Sequence, residues 1–185
     1  ATFVGGGEYR SSSYPYYPHY YTTYVKALAG GEVDLSGVLS QRNDLTLDGA
    51  GSVLGVAGIT ELGGTVLTVS TPGTLSLDSV SRVTGSSLTA AANVTLALPG
   101  ATTLQSVSLR ATGGGEILFP VATSYEGSDS ADTTVEASGV GSRIDLSHLL
   151  TFDGGHDRSS GYYRSYVKAL AGGEVDLSGV LSRHN

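Results

Sequence analysis

The stretch YVKALAGGEVDLSGVLSQRN, residues 24–43, decides the fold because it returns almost unchanged as YVKALAGGEVDLSGVLSRHN at residues 166–185. The copies differ at two positions, where Gln41 and Arg42 become Arg183 and His184. Most of the chain separates the two copies, and shared composition cannot explain so close a match. We therefore predict one full repeat over residues 24–165 and the start of the next over residues 166–185.

Within the repeat, the apolar residues show a shorter period. Val33, Leu35 and Val38 form the pattern φ-x-φ-x-x-φ, in which φ is an apolar residue. The pattern recurs along the sequence at steps of 21, 21, 21, 21, 27 and 31, so six short units fill one repeat. The first residues of the seven occurrences, which we call the core ladder, are Val33, Leu54, Leu75, Leu96, Ile117, Ile144 and Val175.

Two further apolar columns follow the same step. One lies eight residues after the core ladder and contains Leu62, Val83, Leu104, Tyr125 and Phe152. The other consists of pairs such as Val25/Ala27, about six and eight residues before the ladder, and a spacing of two is the period of a β-strand. Glycine pairs such as Gly30-Gly31 favour tight turns between these segments. Each unit is thus predicted to consist of short strands joined by corners.

A unit of this length cannot bury its apolar face alone, so successive units must stack and share one core. The predicted fold is all-β: a single-stranded parallel β-solenoid, or β-helix, with coils of about 21 residues and six coils per 142-residue repeat. It forms one continuous segment over residues 1–185. A β-sandwich would also have short strands and glycine turns. It does not, however, predict one constant step that is shared by several columns.

Insertions that lengthen individual coils are expected at residues 4–23, 126–133 and 153–165. The first and third occupy equivalent places in the repeat and contain most of the tyrosines. The predicted interaction loop contains Tyr9, Tyr14, Tyr16, Tyr17, Tyr20, Tyr21, Tyr162 and Tyr163. Two interpretations are open. The rings pack back on the solenoid wall, or the loop projects and contacts a neighbouring fibre, stacks on sugar rings or carries O-linked glycans.

Composition and charge argue against several classes of function. The net charge of −7 argues against nucleic acid as a partner. No window approaches the roughly 20 apolar residues of a membrane-spanning helix, so no membrane span is expected. The absence of Cys, Met and Trp, with 27 Gly, suits a secreted β-rich protein stabilised by stacking. The chain begins without Met or a signal peptide and is expected to be a portion of a longer polypeptide.

Neither a cofactor nor a catalytic group is expected. The acidic run at residues 125–134 offers carboxylates to calcium, but it lacks the EF-hand spacing and the glycine-rich nonapeptide of calcium-binding β-rolls. A structural calcium ion is therefore a minor alternative, as is a metal at DGGHD, residues 153–157. Asp145 and Asp176 should be neighbours on adjacent coils, as paired carboxylates are in glycosidases. Asp176 belongs to the duplicated stretch, however, and exact repetition is typical of a structural unit.

With this register and the motif GGEVDLSGV at residues 30–38, the chain resembles the large repetitive β-helical surface proteins and adhesin-like fibres of bacteria. The resemblance implies an extracellular or cell-surface scaffold without enzymatic activity. Its expected partners are copies of itself, head-to-tail along a fibre and laterally, and surface glycans. A carbohydrate-binding or polysaccharide-degrading β-helix is the alternative. Asn93-Val94-Thr95 is a sequon for N-glycosylation in a eukaryotic secretory route.

Overall fold

Strands of successive coils pair in parallel along three faces, as predicted for a β-solenoid. The computed structural model describes residues 23–36, 42–155 and 163–184, with the short stretches 8–9, 19–20, 157–158 and 161–162. This part of the chain contains 24 strands and no helix. Because the faces are parallel sheets, the β-sandwich alternative is excluded.

The first face is a sheet of seven strands: β3 (Thr23–Leu28), β5 (Asn43–Asp48), β8 (Val66–Val69), β11 (Ser87–Ala91), β14 (Ser108–Thr112), β17 (Thr133–Ser138) and β22 (Ser165–Leu170). The second face has six: β7 (Glu61–Gly63), β10 (Arg82–Thr84), β13 (Thr103–Gln105), β16 (Ser124–Glu126), β19 (Thr151–Asp153) and β24 (Ser182–His184). The third face is divided into two sheets. The first contains β4 (Glu32–Asp34), β6 (Val53–Gly55) and β9 (Thr74–Leu75). The second contains β12 (Thr95–Ala97), β15 (Glu116–Leu118), β18 (Arg143–Asp145) and β23 (Glu174–Asp176). Two antiparallel pairs complete the set, β1 (Glu8–Tyr9) with β2 (His19–Tyr20) and β20 (Asp157–Arg158) with β21 (Gly161–Tyr162).

The register follows the period seen in the sequence. Each complete coil visits the first, the third and the second face in turn, so residues one period apart lie side by side. On the second face, the predicted apolar column is a continuous row of Cα partners: Leu62, Val83, Leu104, Tyr125 and Phe152. On the first face, burial alternates along β5, β11 and β17, because every second side chain points into the core.

The core ladder lines the interior of the third face. Four members are buried: Leu54, Leu96, Ile117 and Ile144. The other three, Val33, Leu75 and Val175, are partly buried and pack against the same core. Its Cα pairing is continuous from Val33 to Leu75 and again from Leu96 to Val175. The interruption between Leu75 and Leu96 falls where β9 is two residues long and follows Pro72, which has no N–H to donate.

Counted from the last inward side chain of the first face to the core ladder, the corner between the first and third faces is one residue longer in two coils than in the others. It reads Gly49-Ala50-Gly51-Ser52 in one and Gly139-Val140-Gly141-Ser142 in the other, and all four glycines have positive φ. The serine hydroxyls are buried and accept hydrogen bonds from the preceding coil, Ser52 from Gly30 N–H and Ser142 from Gly114 N–H, both at 3.0 Å. The extra residue moves the inward pair Leu45/Leu47 to seven and nine residues before the core ladder, a shift that the sequence pattern missed.

The insertions contain more structure than the sequence predicted. Short antiparallel pairs lie inside residues 4–23 and 153–165. Within residues 126–133, Ser128 and Thr133 are buried, and the exposed part is confined to residues 130–132. The base of this insertion therefore packs on the solenoid, although its polar composition is typical of a solvated loop.

Candidate functional site

The best-defined group of charged side chains lies where the second copy of the duplicated stretch stacks on the coil before it. In the pairing of β18 with β23, Arg143 lies beside Glu174 and Asp145 beside Asp176, so the predicted proximity of the two aspartates is confirmed. Arg143 Nη2 is 3.0 Å from Asp145 Oδ2 and 3.4 Å from Asp176 Oδ2. Arg143 Nε is 3.5 Å from Glu174 Oε1. One guanidinium therefore joins carboxylates of two coils.

The surroundings keep both aspartates ionised. Hydrogen bonds from the backbone N–H and hydroxyl of Ser178 hold the pKa of Asp176 below its ordinary value, and Arg143 adds to this effect. Partial burial acts to raise the pKa of Asp145, but hydrogen bonds from Ser147 and the charge of Arg143 outweigh it, so this pKa is also lowered. Glycoside hydrolysis needs one carboxyl with a raised pKa as the proton donor. Asp145 and Asp176 both have a lowered pKa, so neither has the raised pKa of such a proton donor.

A second charged column crosses the same junction on the first face. Glu136 of β17 is the Cα partner of both Arg110 in β14 and Lys168 in β22. Its carboxylate is 3.6 Å from Arg110 Nη2 and 3.8 Å from Lys168 Nζ. Such partly exposed ion pairs contribute little individually. Together with the pairing of Arg143 and Glu174, they set opposite charges at matching positions across the junction, which favours one register. The one like-charged pair there, Asp145 with Asp176, is bridged by Arg143.

The first copy of the duplicated stretch has the same charges in different surroundings. Its charged residues Lys26, Glu32 and Asp34 correspond to Lys168, Glu174 and Asp176. The next coil presents the uncharged Cα partners Thr46, Val53 and Gly55. Within the described part of the chain, no ion pair involves Lys26, Glu32 or Asp34. The hydroxyl and backbone N–H of Ser36 donate to Asp34 and lower its pKa.

The two copies show directly what a following coil covers. We call the side of a coil that faces later residues its upper edge, and the opposite side its lower edge. Ala27 is buried beneath the coil that begins at β5, whereas the equivalent Ala169 is exposed. Leu35 is buried in the same way, and the equivalent Leu177 is only half-buried. These identical side chains become core residues when another coil lies on the upper edge.

The lower edge shows the converse effect. Tyr24 is 69 % exposed, and the equivalent Tyr166, which is the Cα partner of Thr134 in β17, is 39 % exposed. A coil below the duplicated stretch therefore covers part of this ring. Each copy displays one of the two neighbours that the stretch accepts: residues 43–63 above the first copy and residues 133–153 below the second.

A polar groove of about 430 Å³ lies at the corner between the second and first faces. Its lining includes Gly85 and Ser106, which both have positive φ, and residues 130–133 of the second insertion. Most of the polar groups are hydroxyls: Thr84, Ser86, Ser87, Ser106, Ser108, Ser128, Ser130 and Thr133. No aromatic ring is among its described lining residues, so a sugar bound there would rely on hydrogen bonds.

The predicted interaction loop falls mainly outside the described residues. This holds for the side chains of Tyr9, Tyr14, Tyr16, Tyr17, Tyr20, Tyr21 and Tyr162. Tyr163 is half-buried and lines a cavity of about 280 Å³ with Gly154, Gly155, Arg164 and Ser165. This one ring thus lies beside the coil wall. Projection of the other rings stays a prediction.

Two carboxylates of the acidic insertion accept hydrogen bonds from residues of other coils. Glu126 accepts one from Gln105 Nε2 at 3.1 Å, and Asp132 Oδ1 accepts one from the N–H of Arg164 at 2.9 Å. No three His, Asp or Glu side chains among the described residues are grouped to hold a metal ion. His156 of the second metal candidate lies outside those residues. The described residues also contain no helix of sufficient length and hydropathy to cross a membrane.

Comparison of the chain with protein-family models, curated proteins and solved structures gave no match. The functional argument therefore rests on the geometry of the coils.

Proposed function

We propose that the chain is a structural β-solenoid that forms filaments at the cell surface or outside the cell. The observation that supports this most directly is the different burial of identical side chains in the two copies. Ala27 and Leu35 are core residues because a coil lies on their upper edge, whereas Ala169 and Leu177 are left partly open to solvent. The same stretch thus stacks under a following coil in one copy and on a preceding coil in the other, which favours continued stacking.

The tyrosine-containing insertions are proposed as lateral contact surfaces. They recur at one place in the repeat, and tyrosine combines a large contact area with few rotatable bonds. Pro15 and Pro18 reduce the entropy that the first insertion loses on contact. Weak contacts repeated along a rigid shaft would add by multivalency, so bundling or surface adhesion would not need a tight individual site.

The proposal assigns no catalytic role to the carboxylates. Asp145 and Asp176 have lowered pKa values and are joined by Arg143, which suits a permanent ion-pair network and leaves neither as a proton donor at neutral pH. No bound cofactor, metal ion or nucleic acid is required for a stacked scaffold.

Electron microscopy of negatively stained protein tests this function. The 185-residue chain is expected to form thin fibres that associate laterally. Replacing Tyr14, Tyr16, Tyr17, Tyr20 and Tyr21 with Ser should leave single fibres intact and reduce their bundling. A parent chain that stays monomeric at high concentration would contradict the scaffold function. Loss of the β-structure in the substituted chain would show instead that the rings pack on the wall.

Carbohydrate binding is the second candidate, and the hydroxyl-lined groove is the observation that favours it. Gln105 and Asp132 add an amide and a carboxylate to the hydroxyls, a set of groups that can pair with sugar hydroxyls. Calorimetric titration with soluble oligosaccharides tests this. Binding that Gln105→Ala and Ser108→Ala both weaken would support a glycan site in the groove, and binding that they leave unchanged would exclude the groove.

A further inference from the structure

We infer that the polar groove at the corner between the second and first faces binds a glycan segment that carries a free amine, such as an amino sugar. The inference rests on the proposed carbohydrate-binding function and names the class of sugar. The volume of the groove, about 430 Å³, lies within the range of about 300–1,000 Å³ that is typical of sites for small ligands. Its described lining comes from residues 66–133, in the middle of the stack.

Three hydroxyls of the lining are available to a ligand. Within the described part of the chain, the side chains of Ser87 and Ser106 make no hydrogen bond. Ser108 Oγ accepts a hydrogen bond from the N–H of Thr134 at 3.2 Å and keeps its own hydrogen. All three serines are half-buried. A hydroxyl in this state can pair with a sugar hydroxyl as donor or as acceptor.

Ser106 is the member of this set that costs backbone strain. Its φ of 56° lies in the left-handed region, which favours glycine. The equivalent positions of the two preceding coils are Gly64 and Gly85, and each has the same φ of 56°. A serine thus stands where this corner favours glycine, and it adds a hydroxyl to the groove. Strained backbone of this kind clusters at functional positions.

Two further side chains of the lining offer acceptors. Gln105 donates from Nε2 to Glu126 Oε2 at 3.1 Å, so its Oε1 is left to accept from a ligand. Asp132 Oδ1 accepts from the N–H of Arg164 at 2.9 Å, and Asp132 Oδ2 has no hydrogen-bond partner among the described residues. An ammonium group offers three donors, and its hydrogen bond to a carboxylate is roughly twice as strong as a neutral one.

The charge of the groove selects among sugars in the same direction. Asp132 has the one charged side chain among the described lining residues, and the chain has a net charge of −7. Uronic acids and sulfated sugars would bring like charges together, whereas a protonated amine is attracted. We therefore expect an amino sugar to bind more tightly than its N-acetylated form, whose nitrogen has no charge.

Calorimetric titration of the whole chain compares a tetramer of β-1,4-linked glucosamine with its N-acetylated form, at a pH at which the amine is protonated. The amine form should bind about tenfold more tightly in low salt, and Asp132→Asn should remove most of this difference. Asparagine can still accept the hydrogen bond from the N–H of Arg164, so the fold should be kept. The matched control is Asp78→Asn, which removes the same charge at an exposed turn outside the groove and should bind like the parent.

Ser106→Gly separates a binding role of this serine from a structural one. Glycine relieves the left-handed strain, so the melting temperature should stay level or rise, while the affinity for both tetramers should fall about fivefold. Ser106→Ala removes the hydroxyl but keeps the strain, and it should lose the same affinity. Binding constants that are unchanged in both variants would overturn the part of Ser106 in the site.

The other outcomes distinguish the inference from the function on which it rests. Equal affinity for the two tetramers, unaffected by Asp132→Asn, overturns the selectivity for an amine and leaves a glycan site in the groove standing. Equal binding of a lysine tetrapeptide shows that charge alone attracts the ligand and overturns the glycan class. Absence of binding by every probe overturns both the inference and the carbohydrate-binding candidate, and it leaves the scaffold function untouched.

Discussion

Tyr125 has the largest fully buried side chain among the residues that the structure describes, and it introduces a polar hydroxyl into an apolar column. Its ring stacks on that of Phe152, with centroids 4.5 Å apart and planes inclined by 3°. Its hydroxyl donates to the carbonyl of Val107 at 2.8 Å and lies 3.0 Å from Thr133 Oγ1. Burial raises the pKa of the phenol, so the group stays neutral in the core.

Tyr125→Phe is expected to lower the free energy of unfolding by about 1–3 kcal/mol, because it removes the donor to a buried carbonyl while keeping the ring. Urea denaturation followed by circular dichroism measures the change. The control is Tyr166→Phe, since the ring of Tyr166 is partly exposed. Equal stability of the two variants would mean that the buried hydroxyl contributes nothing net.

Leu77 tests the register of the core. Leu77, Val56 and Leu98 occupy equivalent positions in successive coils and all three are buried. Leu77→Asp would bury a carboxylate without a partner and should cost about 3–5 kcal/mol. Ala97→Asp puts the same group at an exposed position of a neighbouring coil and should have little effect. Thermal melting compares them, and a Leu77→Asp chain that melts like the parent would disprove the interior position.

At the scale of single elements, the long corner at residues 49–52 depends on two glycines for different reasons. Gly49 and Gly51 both have positive φ, but a Cβ on Gly49 would overlap the backbone of Ala29, whereas a Cβ on Gly51 would meet nothing. Gly51→Ala should therefore cost about 1 kcal/mol from backbone strain alone. Gly49→Ala should cost clearly more, because the preceding coil must shift. Denaturation of the two variants isolates the effect of close approach between coils.

The junction between β18 and β23 should respond to acid. Asp145 and Asp176 have lowered pKa values in the folded chain, so their stabilisation is present above the ordinary value of 3.8 and is lost as the pH falls through the lowered values. The melting temperature of the parent should thus include a loss below about pH 4 that Asp145→Asn/Asp176→Asn lacks. The control is Glu61→Gln/Asp78→Asn, which removes the same number of negative charges away from this junction. It should still show the fall in melting temperature at low pH.

The sequence predicted those parts of these elements in which an apolar position recurs in every coil. The core ladder and the column through Tyr125 and Phe152 belong to this group, because stacking turns a recurring position into Cα pairing even where an insertion lengthens the step between two coils. The long corners were missed because one added residue shifts the inward pair, while the ladder step stays at 21 in the first case and is changed mainly by the insertion at residues 126–133 in the second. The partners of Arg143 on the next coil follow an insertion in the sequence, and local spacing cannot show such contacts. The sequence signal that could have revealed these partners is that Arg143 occupies the same position in its coil as Glu116 and Glu174 do in theirs.

At the scale of the whole molecule, a solenoid is held together by contacts between neighbouring coils, so its edges decide how it grows. The described chain has seven strands on its first face, and the outermost two belong to the duplicated stretch. The two copies of that stretch are separated by six steps of the stack, which together make one 142-residue repeat.

This spacing predicts the axial repeat of the filament. Six steps at a strand spacing of about 4.8 Å give a rise of about 29 Å per repeat. We expect this value because all six steps on the first face are parallel pairings of neighbouring strands. Fibre diffraction or helical reconstruction from electron cryomicroscopy measures the rise directly. A rise clearly different from about 29 Å would contradict a repeat of six stacked coils.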